Sequence, residues 1–327
     1  MQITFPHMGD MAVAVKALFQ ELGFSVVVPP PISRKTLNLG VKYSPEFACL
    51  PFKINLGNFM EALDKGADLI VMGGGCGPCR FGYYAEVQRE ILQEMGYEFS
   101  MYVIEPGIIN NIRKIRETFG PLPFRKVVSA VRLAWNKARA IDEIYKLVLE
   151  KRALEVEEGL VDKLYAGFIR KIDETMSLDE VRRLRREYRE KIEDTSAKYK
   201  RGIPLKVGLV GEIYLVLEPF VNLEIEKRLG QLGVMVERDL YMTNWLLNFL
   251  HLRNDEKHIR RAARKYLGSF VGGHGIDSVG NTVRYSRRGF DGVIQLGPFT
   301  CMPEIIARSI LPAVSKGEGI PVLTFFF

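Results

Sequence analysis

Residues 68–82 read DLIVMGGGCGPCRFG: an acidic residue, an apolar run, three glycines and a Cys-Gly-Pro-Cys pair. A short apolar run closed by glycines is the pattern of a strand buried in a parallel sheet. Residues 84–95 (YAEVQREILQEM) then carry helical periodicity and stop at Gly96, where a glycine suits the residue after a helix end. Strand, glycine loop and helix therefore follow one another. Working outward, residues 2–5 (QITF) form a strand entering a Pro/Gly loop, and residues 11–22 form a helix stopping at Gly23. Residues 24–28 are a β-branched run closed by three prolines, 58–65 a short helix ending at Gly66, and 99–104 a further strand. This alternation predicts an α/β lobe over residues 1–120.

The far end of the chain repeats the order of parts. Residues 291–301 (DGVIQLGPFTC) again give an acidic residue, a strand, a glycine loop and a cysteine, and residues 206–212 (KVGLVGE) echo residues 2–10. Strands at 205–210, 234–237 and 320–327, with helices at 221–232 and 254–267, predict a second α/β lobe over residues 203–327. Between the two, residues 121–202 form long, charge-rich helices, one opened by the capping box of Ser177 and Glu180. The expected fold class is α/β: two related three-layer lobes facing a central cleft, with a helical insertion between them. Open α/β sheets bind ligands outside the carboxyl ends of their strands. Cys76, Cys79 and Cys301 stand at such ends.

A chain of 327 residues, 47% hydrophobic and 26% charged, has the balance of a globular protein. No apolar run reaches the roughly 18–20 residues that span a bilayer. The N-terminus lacks a basic segment followed by an apolar one, so the expected location is the cytoplasm, without membrane attachment. The net charge of +7 does not imply nucleic-acid binding. The most basic stretch, residues 181–201, interleaves Glu and Asp with Arg and Lys, as a solvated helix face does. A small anionic ligand remains compatible with the charge.

The four cysteines are Cys49, Cys76, Cys79 and Cys301. In the cytoplasm structural disulfides are rare, which points to metal binding or catalysis. Cys-x-x-Cys after a strand fits a redox dithiol, half of a zinc site or part of an iron–sulfur site. A dithiol reaction needs only the pair. Zinc would ask for a second pair, and His7, His251, His258 and His274 form none. Cys49, Cys76 and Cys301 share the pattern Cys-x-Pro. Proline there fixes a rigid loop whose N–H groups can point at sulfur, which suits iron–sulfur ligation.

Five segments carry a family likeness: residues 5–9 (FPHMG), 44–53 (SPEFACLPFK), 73–84 (GGGCGPCRFGYY), 272–282 (GGHGIDSVGNT) and 297–304 (GPFTCMPE). With them the chain resembles the CoA-substrate-specific enzyme activase-related family, a relative of 2-hydroxyacyl-CoA dehydratase subunits and double-cubane cluster proteins. The resemblance implies two flavodoxin-like lobes and an oxygen-sensitive [4Fe-4S] cluster, or a larger cluster shared by two chains. It implies Cys49, Cys76, Cys79 and Cys301 as ligands, with Cys301 either the fourth ligand or close to an open iron. It also implies low-potential electron transfer, or reduction of a small substrate, fed by an ATP-hydrolysing activator protein. A cluster-carrying scaffold in an activase complex is the alternative, and a thiol oxidoreductase a further one. Residues 275–280 (GIDSVG) faintly resemble the phosphate loop of actin-like ATPases. Members of the resembled family continue past the strand at 320–327 into an acidic loop and a helix, a difference that a truncated product or a separate reading frame would explain.

His7, Lys53, Arg80, His274 and Glu304 are the candidate substrate contacts. Arg80 follows the dithiol and could hold an anion or pair with Glu86 or Glu90. Glu46 and Glu304 lie within three residues of Cys49 and Cys301 and could relay protons or cap helices. Of Tyr83 and Tyr84, one side packs in the core, with a hydroxyl reaching the cleft.

Overall fold

A computed structural model describes residues 1–75, 77–105, 108–196, 204–249 and 255–327, with the backbone alone at 108–113, 248–249 and 255. The chain divides into two compact units, Met1–Trp135 and Asn136–Phe327.

In the N-terminal unit, strands β1 (Gln2–Thr4), β2 (Ser25–Val26), β3 (Leu69–Gly73) and β4 (Ser100–Ile104) form a parallel sheet in the order β2-β1-β3-β4. Leu69, Ile70, Val71 and Met72 are all buried. Both faces of β3 are therefore covered, as the unbroken apolar run requires. The helices are α1 (Met11–Glu21), α2 (Arg34–Tyr43), α3 (Leu50–Leu63), α4 (Tyr84–Glu94) and α5 (Ile108–Phe119). Helix α6 (Phe124–Arg152) starts in this unit and ends in the next.

Helix α3 begins eight residues before the expected start of 58, at Leu50. Cys49 is its N-cap and Pro51 sits in its first turn. Proline there loses no helical hydrogen bond, because the first-turn N–H groups have no partner within the helix. The Cys-x-Pro pattern at this position marks a helix start, not an extended loop. Helix α2, which the sequence reading left out, packs tightly on α3. A Cβ at Gly40 would lie 1.7 Å from the Lys53 carbonyl oxygen, and one at Gly57 would lie 2.0 Å from that of Thr36.

The C-terminal unit repeats the sheet. Strands β5 (Lys206–Gly211), β6 (Met235–Arg238), β7 (Gly292–Gly297) and β8 (Val322–Phe326) are parallel in the order β6-β5-β7-β8. The echo in the sequence has a structural cause. Asp68 accepts from the Gln2 N–H at 2.6 Å, and Asp291 accepts from the Lys206 N–H at 2.7 Å. In each unit the acid before the third strand ties down the start of the first. The α/β fold with two parallel sheets is as expected.

Helices α7 (Leu160–Glu174) and α8 (Leu178–Glu193) pair with each other after α6. The second half of α6 is bound into the C-terminal unit by buried polar contacts. Asp142 accepts from the Thr243 N–H and hydroxyl at 2.9 and 2.6 Å, and the Tyr145 hydroxyl reaches Glu226 at 2.8 Å. Glu226 also pairs with Arg238 of β6 at 3.0 Å. The unit is completed by α9 (Ile213–Leu217), α10 (Ile225–Gln231), α11 (Met242–Phe249), α12 (Asp255–Ala263), α13 (Gly275–Arg287) and α14 (Met302–Glu318). The helix expected over 221–232 is confined to α10. Residues 275–280 are no phosphate loop; they are the first turns of α13. No described helix is long and apolar enough to cross a membrane.

Candidate functional site

Each sheet changes direction of strand addition once, between β1 and β3 and between β5 and β7. Ligands of open α/β sheets bind at such switch points, outside the carboxyl ends of the strands. Every candidate residue within the described chain belongs to a segment that leaves or faces one of these ends.

In the N-terminal unit the loop after β3 continues the ladder for one more bond, Gly74 N–H to the Ile104 oxygen at 2.8 Å. The chain then turns through Gly77 into a one-turn 3-10 helix, Arg80–Tyr83, with Cys79 as its N-cap. Cys76 lies outside the described residues. Cys49 is buried at the start of α3, and its sulfur is hydrogen-bonded to the Tyr84 hydroxyl. Arg80 donates to the Phe47 oxygen at 2.7 Å, and its guanidinium lies over the Phe47 ring. The segment around Cys49 and the segment around the dithiol are thus held together twice, at residues 84 and 80. Tyr84 is in the core, edge-on to Phe52 and Phe81, while Tyr83 is 72% exposed. Of the tyrosine pair expected to pack in the core on one side, Tyr84 does so, and its buried hydroxyl meets the Cys49 sulfur.

Lys53 donates to the Glu46 oxygen at 3.1 Å, on the same first turn of α3. The His7 N–H is held by Asn58 of α3 at 3.0 Å, which fixes the loop leaving β1.

In the C-terminal unit Cys301 is the N-cap of α14, is buried, and has Pro303 in the first turn behind it. Cys49 and Cys301 therefore share the N-cap position with a first-turn proline, Cys49 on the helix that leads to β3 and Cys301 on the helix that follows β7. None of the three described cysteines is in a disulfide, and none caps a backbone N–H with its sulfur. A helix N-terminus carries partial positive charge and favours an anionic sulfur. Thr300, just before Cys301, is held at φ +66°. A β-branched residue pays for that left-handed conformation in steric strain.

Glu304, in the first turn of α14, has no solvent exposure. Its oxygens accept from the Ser278 hydroxyl at 2.9 and 3.1 Å and from the Gln295 amide at 2.8 Å. Burial raises its carboxyl to about 7; the bonds from Gln295 and Ser278 and the nearby His274 oppose the rise, and Glu212 adds to it. Burial likewise raises Glu212 above the usual carboxylate value, against the N–H bonds of Tyr214 and Leu215 and the charge of His274. His274, the N-cap of α13, hydrogen-bonds Asp277 at 3.0 Å. Burial disfavours its charged form, but the bond to Asp277 and the charges of Asp277, Glu212 and Glu304 outweigh that and raise its pKa. Sequence reasoning singled out His274 and Glu304 separately and missed Glu212. The repeat did hold the signal: Glu212 follows β5 as Asp10 follows β1.

Among the described residues no group of three or more His, Cys, Asp and Glu side chains is placed to hold a metal ion.

Residues 7–73 match the model of a family described as the CoA enzyme activase uncharacterised domain. This segment is similar to a CoA enzyme activase-related domain. It runs from the loop after β1 to the end of β3, and so includes His7, Cys49 and Lys53. No curated protein matches the chain.

Proposed function

We propose that the N-terminal unit binds an iron–sulfur cluster of the [4Fe-4S] type through Cys49, Cys76 and Cys79, for low-potential electron transfer or reduction of a small substrate. The observation that carries this reading is the joining of the Cys49 segment to the Cys-x-x-Cys segment through Tyr84 and Arg80. Three thiols from two segments, at helix N-termini and after a strand end, are a donor set suited to iron–sulfur ligation. The cluster would supply a single low-potential electron. Tyr84 would hold the Cys49 sulfur by its hydroxyl, and Arg80 would place a positive charge beside the dithiol. The family likeness adds Cys301 as a fourth thiolate, and it adds a cytoplasmic ATP-hydrolysing activator protein as electron donor.

The test is anaerobic purification and reconstitution, followed by iron and sulfide analysis and EPR of the reduced protein. A cubane stoichiometry and a reduced-cluster EPR signal are expected, with loss of both in Cys79→Ser. Cys301→Ser, assayed in parallel, decides whether that thiol is a ligand. A protein that takes up no iron overturns the reading.

The match of residues 7–73 to an activase domain favours a second reading, a cluster-carrying scaffold within an ATP-dependent complex. Capture of an ATPase without turnover of any small reducible substrate would favour it. A thiol oxidoreductase built on Cys76 and Cys79 would instead keep disulfide reduction in Cys49→Ser and Cys301→Ser.

A further inference from the structure

Among the described strands four lie at sheet edges: β2 and β4 in the N-terminal unit, β6 and β8 in the C-terminal unit. An edge strand presents backbone N–H and C=O groups to which another chain can add a strand. Proteins blunt such edges with short strands, prolines, charges or a covering helix. Three of these four are blunted. Strand β2 is two residues long, and Pro29, Pro30 and Pro31 follow it closely. Strand β6 carries Glu237 and Arg238, paired with Arg288 at 2.6 Å and Glu226 at 3.0 Å. Strand β4 is covered by α5. Its Tyr102 is buried edge-on to Phe119, with ring centroids 5.3 Å apart, and Glu105 beyond its end pairs with Lys114 at 3.0 Å.

Strand β8 has none of these devices. Residues 320–327 carry no charge, and their one proline, Pro321, stands before the strand. The internal repeat gives a direct comparison. Tyr102 pairs with Val71, three residues after Asp68, and Leu323 pairs with Ile294, three residues after Asp291. Leu323 therefore holds the place of Tyr102, yet it is 54% exposed against 5%, and Phe325 on the same face is 39% exposed. The outer backbone is equally open. Pro321 and Phe327 bond towards β7, through the Val293 and Phe299 N–H groups and the Gly297 oxygen. Alternation along the strand then directs the N–H and C=O groups of Val322, Thr324 and Phe326 away from β7.

We propose that β8 pairs with β8 of a second copy of this chain, antiparallel about a two-fold axis at Thr324, joining two C-terminal sheets into one of eight strands. In such an interface each edge meets itself. Like charges directly opposite one another are unfavourable, so a self-pairing edge has to be neutral. Strand β8 meets that condition along its whole length. The axis sets Thr324 opposite Thr324 of the copy and Val322 opposite its Phe326, both favourable cross-strand pairs. Leu323 then lies beside the copy's Phe325, so the two exposed apolar side chains cover one another. A five-residue strand pair is a small interface, which makes the dimer reversible. The pairing uses the C-terminal unit alone and does not depend on iron.

The experiment is sedimentation velocity on the full chain over a concentration series, without iron and again after reconstitution. The mass is expected to rise from one chain to two. Leu323→Lys combined with Phe325→Lys sets charges against those of the copy. It should hold the chain at the single mass, with thermal unfolding unchanged where the wild type is also single, because both positions are exposed. Thr324→Pro removes an N–H that points away from β7 and should abolish the dimer too, since an edge strand tolerates proline on its outer side. It also loses the Thr324 bond to Gln295, so the lysine variant decides should it fail to fold. A chain that stays single at every concentration, whatever other protein it binds, overturns the proposal. So does a dimer that both variants leave intact.

Discussion

At the level of single residues, two side chains carry strain or charge that a merely structural role would not require. Thr300 is held at φ +66°, directly before Cys301. Relief of the left-handed conformation is worth about 1–2 kcal/mol, and glycine's extra unfolded-state freedom takes back part of it. Thr300→Gly is therefore expected to raise stability by up to about 1 kcal/mol in urea unfolding; a clear loss would show the φ angle is not strained. Glu304 contributes to the pH dependence of stability, alongside the raised Glu212 and Asp142. Its folded value of about 7 lies above the ordinary 4.5, so the folded chain holds this proton more tightly than the unfolded chain. Its contribution to stability is complete below about pH 4.5 and is lost as pH rises through about 7. At about 1.4 kcal/mol per unit the window spans up to about 3 kcal/mol. Glu304→Gln should flatten the decline and be the more stable protein at about pH 8. Profiles that run parallel in unfolding experiments would contradict this.

Among the elements, α3 links the fold to the candidate site. Its N-cap is Cys49, its Asn58 fixes the loop after β1, and its Gly57 lets α2 approach. A Cβ at Gly57 would sit 2.0 Å from the Thr36 oxygen, a backbone atom that cannot swing aside. Gly57→Ala should destabilise the N-terminal unit by about 2–3 kcal/mol, as overpacking of a tight core does. A loss within about 0.5 kcal/mol, the range of surface substitutions, would show the two helices are free to part. The same contacts explain what the sequence concealed. The strands were legible because β3 and β7 are short apolar runs closed by glycine. Helix α3 was read late because a proline two residues after a cysteine resembles a loop, and only its helical neighbours show that it lies in a first turn. Helix α13 was hidden because Gly275 and Gly280 look like turn residues. A Cβ at either would strike backbone, the Pro303 oxygen at 2.6 Å or the Ile259 oxygen at 2.4 Å, so these glycines mark close packing instead.

For the whole molecule, one layout is used twice. The same strand order and the same acid at the start of the third strand recur in both units, and a cysteine N-cap follows that strand in each, Cys79 after β3 and Cys301 after β7. The repetition could be read from residues 68–76 and 291–301 because the contacts that preserve it are local to each sheet. The electrostatic influence of Glu212, Glu304 and His274 on one another could not, since it depends on residues up to 92 positions apart and leaves no spacing pattern. The two units then differ in chemistry. The N-terminal one carries Cys49 and Cys79 at helix starts, and the C-terminal one carries Glu212, His274 and Glu304 at the starts of α9, α13 and α14. The claim on which the functional reading turns is that the thiols hold iron. Crystals grown without oxygen and measured at the iron edge test it directly. Anomalous iron peaks beside the Cys49 and Cys79 sulfurs are predicted, and well-ordered cysteines with no iron density near them would contradict the account.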